Sequence, residues 1–318
     1  MKKLVVFAVL AAIVASCADD NPPQIEKSSE LVSPRLLMDV STESGQSPLT
    51  GILTIMPCKA GTSIYYGNYI NRKLTPFYGY YQVKDGAFYN DGVNRELSLP
   101  AGLYNMIYWG TPKYEEPIYA HPLRDPVYIL GEDMSRQHFS LFKMEADTTY
   151  YPVFDLVHAV QPANIGSEDL KASLKRVVTG LKVIIKDKNN GILSSSIDSM
   201  VVRITNIAGE LNFYTAAPQG SPRTVAFPLV RSVDGTQMSN ATVMLFPSFG
   251  KPEFQMSIIL KNGNVKSFKQ TLNGPLEANS KLTLTLTLGD IFSEESSGEF
   301  TLDNWNEESQ TIDVPSLD

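Results

Sequence analysis

Cys17 is the side chain whose surroundings most clearly call for chemistry. It follows Lys2, Lys3 and an unbroken apolar run over residues 4–15, and the run closes in Val14-Ala15-Ser16-Cys17. A positive start, a short apolar core and small residues before a cleavage point make a secretory signal. Small residues directly before a thiol have the form of a lipobox, in which the signal is cut ahead of Cys17 and its sulfur receives a diacylglycerol. The run is too short for a retained spanning helix, which needs about 20 residues. Acyl chains contribute about 0.8 kcal/mol per buried CH₂, so a multiply acylated Cys17 holds the mature chain at a membrane without one. The plainer alternative is an ordinary secretory signal that happens to contain a cysteine.

The remaining reactive residues are scattered. Cys58 would be left without a disulfide partner and reads as a small apolar residue within a strand. His121, His138 and His158 lie in separate segments without metal-ligand spacing. No His-Glu-x-x-His, Cys-x-x-Cys, Gly-x-Ser-x-Gly or phosphate-cradling Gly-Lys-Ser/Thr pattern occurs, so zinc hydrolysis, serine hydrolysis and nucleotide chemistry lack their parts. Glu115-Glu116 and Glu132-Asp133 are adjacent pairs, and neighbours on a strand point to opposite faces, which suits loop charges better than a glycosidase pair. We therefore expect no catalytic residue, no metal and no cofactor.

One cluster could bind without reacting. Nine aromatics fall between Tyr65 and Tyr89: Tyr65, Tyr66, Tyr69, Phe77, Tyr78, Tyr80, Tyr81, Phe88 and Tyr89. Strands favour aromatics, so alternate rings can simply pack a core. Exposed ones could anchor a protein contact or stack on sugar faces.

These residues must be positioned by strands. Beyond Arg35, Gly, Pro and Asn recur every eight to twelve residues, between segments that alternate or carry β-branched and aromatic side chains. In the segment 281–288, Leu282, Leu284, Leu286 and Leu288 share one face and three threonines the other, the pattern of a sheet with one buried side. Asn262-Gly263 between 255–261 and 265–272 predicts a hairpin with a tight type I′ turn, and Asp85-Gly86 predicts another. Pro100-Ala101-Gly102 marks a turn, and Asn189-Asn190-Gly191 a loop between two strands. Only residues 167–175 read as helical, with Ser167 as N-cap and Glu168 and Asp169 in the first turn.

The 318 residues exceed one typical domain, and the composition is that of a globular protein, with 43% hydrophobic and 19% charged residues. Fourteen of the 15 tyrosines precede residue 152, so a boundary is expected near residue 165. The expected organisation is a signal peptide over residues 1–16, a tether over 17–32, and two antiparallel β-sandwiches over 33–166 and 167–318. The tether opens with Ala18-Asp19-Asp20-Asn21, and Asp19 and Asp20 resemble the acidic export signal that sends lipoproteins of some Gram-negative anaerobes to the outer face of the outer membrane. Removing Lys2 and Lys3 moves the formal charge from −7 to −9, and no basic stripe appears, which argues against nucleic acid as a partner. Residues 290–318 carry nine acidic residues and no basic one, a charge that guards a terminal strand against edge-to-edge pairing.

Three features together resemble the fimbrial anchor and minor subunit lipoproteins of the FimB/Mfa family, which build type V pili. They are the lipobox ending at Cys17, the segment Leu99-Pro-Ala-Gly-Leu-Tyr104 with Tyr108-Trp109-Gly110, and Leu174-Lys-Arg-Val-Val-Thr-Gly-Leu-Lys-Val-Ile-Ile185. A late Phe300-Thr-Leu-Asp-Asn-Trp305 and Ile312-Asp-Val-Pro315 complete the match. The resemblance implies transthyretin-like sandwiches, no catalysis, other fimbrial subunits as partners, and a place at the outer membrane, displayed on a fimbria. Shaft subunits of that kind are cut after an N-terminal Arg. Here Arg35 occupies such a place, yet cutting there would sever the protein from its lipid, so an anchor is expected to keep the bond. The rival reading is a surface glycan-binding or host-surface-binding lipoprotein that uses the 65–89 aromatics.

Overall fold

The computed structural model describes residues 30–42, 45–70, 72–76, 80–89, 96–113, 118–119, 123–145, 147–187, 189–288 and 310–314. The fold is all-β, as expected, with a single 3₁₀ turn at Met134–Arg136 among the described residues. Eight strands make the first sheet: β1 (Leu36–Thr42), β2 (Gly45–Pro48), β3 (Gly51–Lys59), β4 (Tyr81–Lys84), β5 (Ala87–Phe88), β6 (Gly102–Pro112), β7 (Val157–Ile165) and β8 (Leu170–Arg176). Their order is β2-β1-β8-β7-β6-β3-β4-β5, antiparallel throughout except for the parallel pair β1 and β8. Alternation sends Leu36, Met38 and Val40 inward with Leu53, Ile55, Met106 and Tyr108, and these residues pack one buried cluster.

The two ends of this sheet meet. The Met38 N–H donates to the Gly86 carbonyl at 2.9 Å, and the Gly86 N–H donates to the Leu49 carbonyl at 2.9 Å. Asp85 and Gly86 have φ of +51° and +80°, the type I′ geometry expected for this hairpin. A Cβ on Gly86 would lie 3.0 Å from the Met38 carbonyl oxygen, so both the turn and the close approach require glycine.

Nine further strands follow: β9 (Thr179–Asp187), β10 (Ile197–Ile207), β11 (Arg223–Arg231), β12 (Gln237–Ser239), β13 (Thr242–Leu245), β14 (Glu253–Leu260), β15 (Val265–Thr271), β16 (Lys281–Leu288) and β17 (Gln310–Val314). β11, β10, β14 and β15 pair in that order in antiparallel succession, while β9 lies between β16 and the β12 and β13 strands. β11 joins the two groups, pairing with β10 along most of its length and with β12 through Val230 and Arg231. Leu282, Leu284, Leu286 and Leu288 of β16 are all buried, at 4% exposure or less. The alternation read from the sequence is therefore the packing seen. β17 lies parallel to β16, with Leu286 opposite Ile312.

Two expectations are corrected. Residues 167–175 are not a helix, because Leu170, Ala172 and Leu174 are buried at a period of two while Lys171 and Lys175 are exposed. The polar residues taken for a cap instead close a turn, with the Asn164 N–H donating to Glu168 Oε1 at 2.7 Å and Ser167 Oγ donating to the Asn164 carbonyl at 3.1 Å. At Asn262-Gly263 the hairpin forms, but only Gly263 has positive φ, and its N–H donates to the Leu260 carbonyl. That is the three-residue hairpin loop with glycine in the left-handed position rather than a type I′ turn. The loop at Asn189-Asn190-Gly191 lies between two strands, as expected, and each of these pairs elsewhere: β9 with β16, β12 and β13, and β10 with β11 and β14.

β8 is hydrogen-bonded to β7, so the first sheet runs past residue 166 to Arg176. Residues from Leu31 onward cluster as one unit. The outward face of β3 and β6 presents Met56, Cys58, Ile107 and Trp109 to the same buried cluster that fills the second group of strands. The chain between β6 and β7 supplies the cover, with Met134, Phe139, Leu141 and Leu156 packed there.

Candidate binding groove

Cys17, Asp19 and Asp20 lie outside the described residues, as do Phe77, Tyr78, His121, Glu115 and Glu116. Arg35 is described and its side chain is exposed. Its carbonyl accepts the Leu170 N–H at 2.8 Å, where β1 and β8 begin to pair. Pro34 before it and Leu36 after it are buried, and Leu31–Val32 pair with Leu99–Pro100 just upstream. The bond after Arg35 is thus held within folded structure on both sides.

Beside Arg35 opens a groove of about 1200 Å³. It runs between the start of β1 and the outward faces of β3, β4 and β5. Leu53, Tyr81 and Val83 point into the sheet, so period-two alternation turns Ile52 and Gln82 out, and their strands pair them directly. Leu37, Ile52, Tyr80 and Tyr89 all line the groove and are 39%, 43%, 52% and 48% exposed. Arg35, Glu96 and Lys113 also line it, and Lys84 sits 5.5 Å from the Tyr89 ring centroid.

A cavity of about 320 Å³ adjoins the groove and shares Ile52, Tyr80 and Thr111 with it. Trp109, Phe139, Phe154 and Leu156 form apolar walls, and among the described residues Asp125 is its one charged lining residue. Trp109 is fixed by its neighbours: its indole N–H donates to the Phe213 carbonyl at 2.9 Å, and Phe139 meets it edge-on at 4.8 Å. Tyr80 hydrogen-bonds Asp125, and partial desolvation pushes the Asp125 pKa upward.

The aromatic cluster divides between the two readings made of it. Tyr65 and Tyr81 are buried at 1% and 3%, and Tyr66, Tyr69 and Phe88 are half-buried, so most of the described rings pack. Tyr80 and Tyr89 remain exposed. Leu37, Ile52 and Asp125 escaped the sequence reading because the groove is assembled from segments distant along the chain. The only sequence signal for Ile52 was its place in alternation with Leu53.

The other titratable candidates have structural surroundings. Burial pushes the Cys58 thiol up to about 12, an inert apolar environment in β3. His138 Nε2 lies 3.6 Å from Glu210 Oε1. His158 stacks 4.5 Å from Trp109, and burial pulls its pKa down to about 4 against an opposing hydrogen bond to the Tyr214 backbone. Asp133 accepts from Ser63 and Ser135, bonds that hold it at about 2 while it caps the 3₁₀ turn. Among the described residues no group of His, Cys, Asp and Glu has the geometry to hold a metal, and no helix is long and apolar enough to cross a membrane.

The described residues thus form an all-β scaffold with an open groove on its first sheet. The sequence matches the family model described as "Fimbrillin-A associated anchor proteins Mfa1 and Mfa2" over residues 31–311. The chain belongs to that family, which places it among fimbrial and cell-adhesion proteins of the cell surface. A solved candidate adhesin from Bacteroides ovatus is similar at 11% identity and a TM-score of 0.50, over 82% of this chain and 90% of that one. The fimbrial anchor protein Mfa2 from Porphyromonas gingivalis is similar at 14% identity and a TM-score of 0.42, over 75% of this chain and 81% of that one. At such identities the likeness to solved structures concerns the fold. No curated protein matches the sequence.

Proposed function

We propose that this chain is a lipoprotein that anchors or caps a fimbria without catalysis, tied to the outer membrane through acylated Cys17 and to a neighbouring subunit by a strand seated in the groove. The observation that carries the reading is the convergence of Leu37, Ile52, Tyr80 and Tyr89 on one open groove. Four large apolar groups exposed together mark an interaction surface, whereas scattered ones would not. An added strand gains affinity from main-chain hydrogen bonds and specificity from the side chains it places in pockets. Asp19 and Asp20 would direct the lipoprotein to the cell surface, and the chain beyond the tether would form two β modules. The division expected at 166–167 lies inside the hydrogen-bonded β7 and β8 pair, which favours drawing it after β8.

The bond after Arg35 stays intact in this reading. A protease must take its substrate as an extended, free segment, and here the Arg35 carbonyl is already bonded to Leu170 between two buried residues. Retention keeps the lipid attached to the folded part.

The test is a pair of variants in cells that make fimbriae. Leu37→Glu with Ile52→Glu should leave the protein in the membrane fraction and reduce the fimbriae retained there at least tenfold. Cys17→Ala should release the protein itself. Full retention of fimbriae by the groove variant would contradict the proposal. The half-exposed rings of Tyr80 and Tyr89 favour a second reading, glycan binding, and retardation in polysaccharide gels that Tyr80→Ala and Tyr89→Ala abolish would support it over the first.

A further inference from the structure

We propose that the cavity beside the groove is a socket for one lysine or arginine side chain, projected by the strand that occupies the groove. This rests on the groove being a strand site. At about 320 Å³ the cavity suits one long side chain, and it borders the groove along Ile52, Tyr80 and Thr111, so a residue seated in the groove lies beside it.

Its walls select the chemistry. Trp109, Phe139, Phe154 and Leu156 offer apolar surface to an aliphatic stem. Aromatic faces attract a desolvated cation, Trp most strongly. Asp125 completes the match as the single charged group of the lining among the described residues, where no cation pairs with it; it hydrogen-bonds the phenol of Tyr80 and lies near that of Tyr128. Asp125 is itself exposed at the edge of the cavity, so its carboxylate keeps water, and an incoming cation gains a Coulomb attraction to it that a neutral or acidic side chain lacks. Tyr80 lines both spaces and bonds Asp125, so an entering basic group would take over that carboxylate and leave the Tyr80 ring facing the groove.

The probe is n-butylguanidinium chloride, with 1-pentanol as a neutral counterpart of similar reach and guanidinium chloride as a control for ionic strength. Binding is followed by Trp109 fluorescence in a full mature chain carrying Trp305→Phe, since the sequence has two tryptophans. Butylguanidinium should give a saturable change at least fivefold tighter than pentanol. Asp125→Asn should erase that preference and Asp125→Glu should keep it. Equal binding of both probes, an unchanged preference in Asp125→Asn, or no saturable change would each overturn the socket. The groove stands or falls separately: Leu37→Glu lies outside the cavity lining, and its loss of fimbriae alongside failed probe binding would leave the strand site intact and remove only the socket.

Discussion

A buried ion pair and a part-buried histidine set measurable properties of this protein. Arg176 donates from Nε to Asp155 Oδ1 and from a terminal nitrogen to Oδ2, both at 2.7 Å, with exposures of 8% and 0%. Removing one member of such a pair strands the other charge away from water, at about 3–5 kcal/mol. Asp155→Ala should therefore lower the urea unfolding free energy by that amount. His158 acts through pH. Its folded pKa of about 4 lies below the ordinary 6.5, so the unfolded chain binds the proton first. Stability from this residue is complete above about pH 6.5 and is lost as pH falls toward 4, by on the order of 3 kcal/mol. In equilibrium unfolding against pH, His158→Gln should flatten the wild-type decline in that window. Asp133, held at about 2, acts only in a lower window, below the ordinary carboxylate value of 3.8.

At the scale of elements, β16 is where pattern and packing agree most closely. Leu284 has no exposed surface, and Leu284→Ala should cost about 2–5 kcal/mol, while the change Thr285→Ala on the opposite face should cost far less. Thermal melts of the two variants check this. Period-two alternation made β16 legible, and Asp85-Gly86 made its hairpin legible, because both signals are local. The same alternation in Leu170, Ala172 and Leu174 was outweighed by Ser167, Glu168 and Asp169, whose hydrogen-bonding groups suit a turn as well as a helix cap. Parallel pairing of β1 with β8 joins residues more than 130 positions apart, and no local signal reports that. The groove was half legible for the same reason. Tyr80 and Tyr89 stood out by type, whereas Leu37, Ile52 and Asp125 gained meaning only when distant strands brought them together.

For the whole molecule, the proposed anchor at Cys17 and the groove on the folded body would be linked through the short stretch around Arg35. Leu31–Val32 are paired with Leu99–Pro100, and β1 is held by β8, so tension on the tether would load the first sheet directly. Cleavage after Arg35 would break the covalent link between β1 and the segment that carries Cys17, leaving only the Leu31–Val32 pairing and the Arg35 carbonyl bond to hold that segment. Mass spectrometry of the mature protein extracted from membranes tests this most directly. A chain starting at Cys17, with mass added on that residue by acyl groups and Arg35 still joined to Leu36, is the predicted result. An unmodified thiol, or a soluble fragment starting at Leu36, would contradict it.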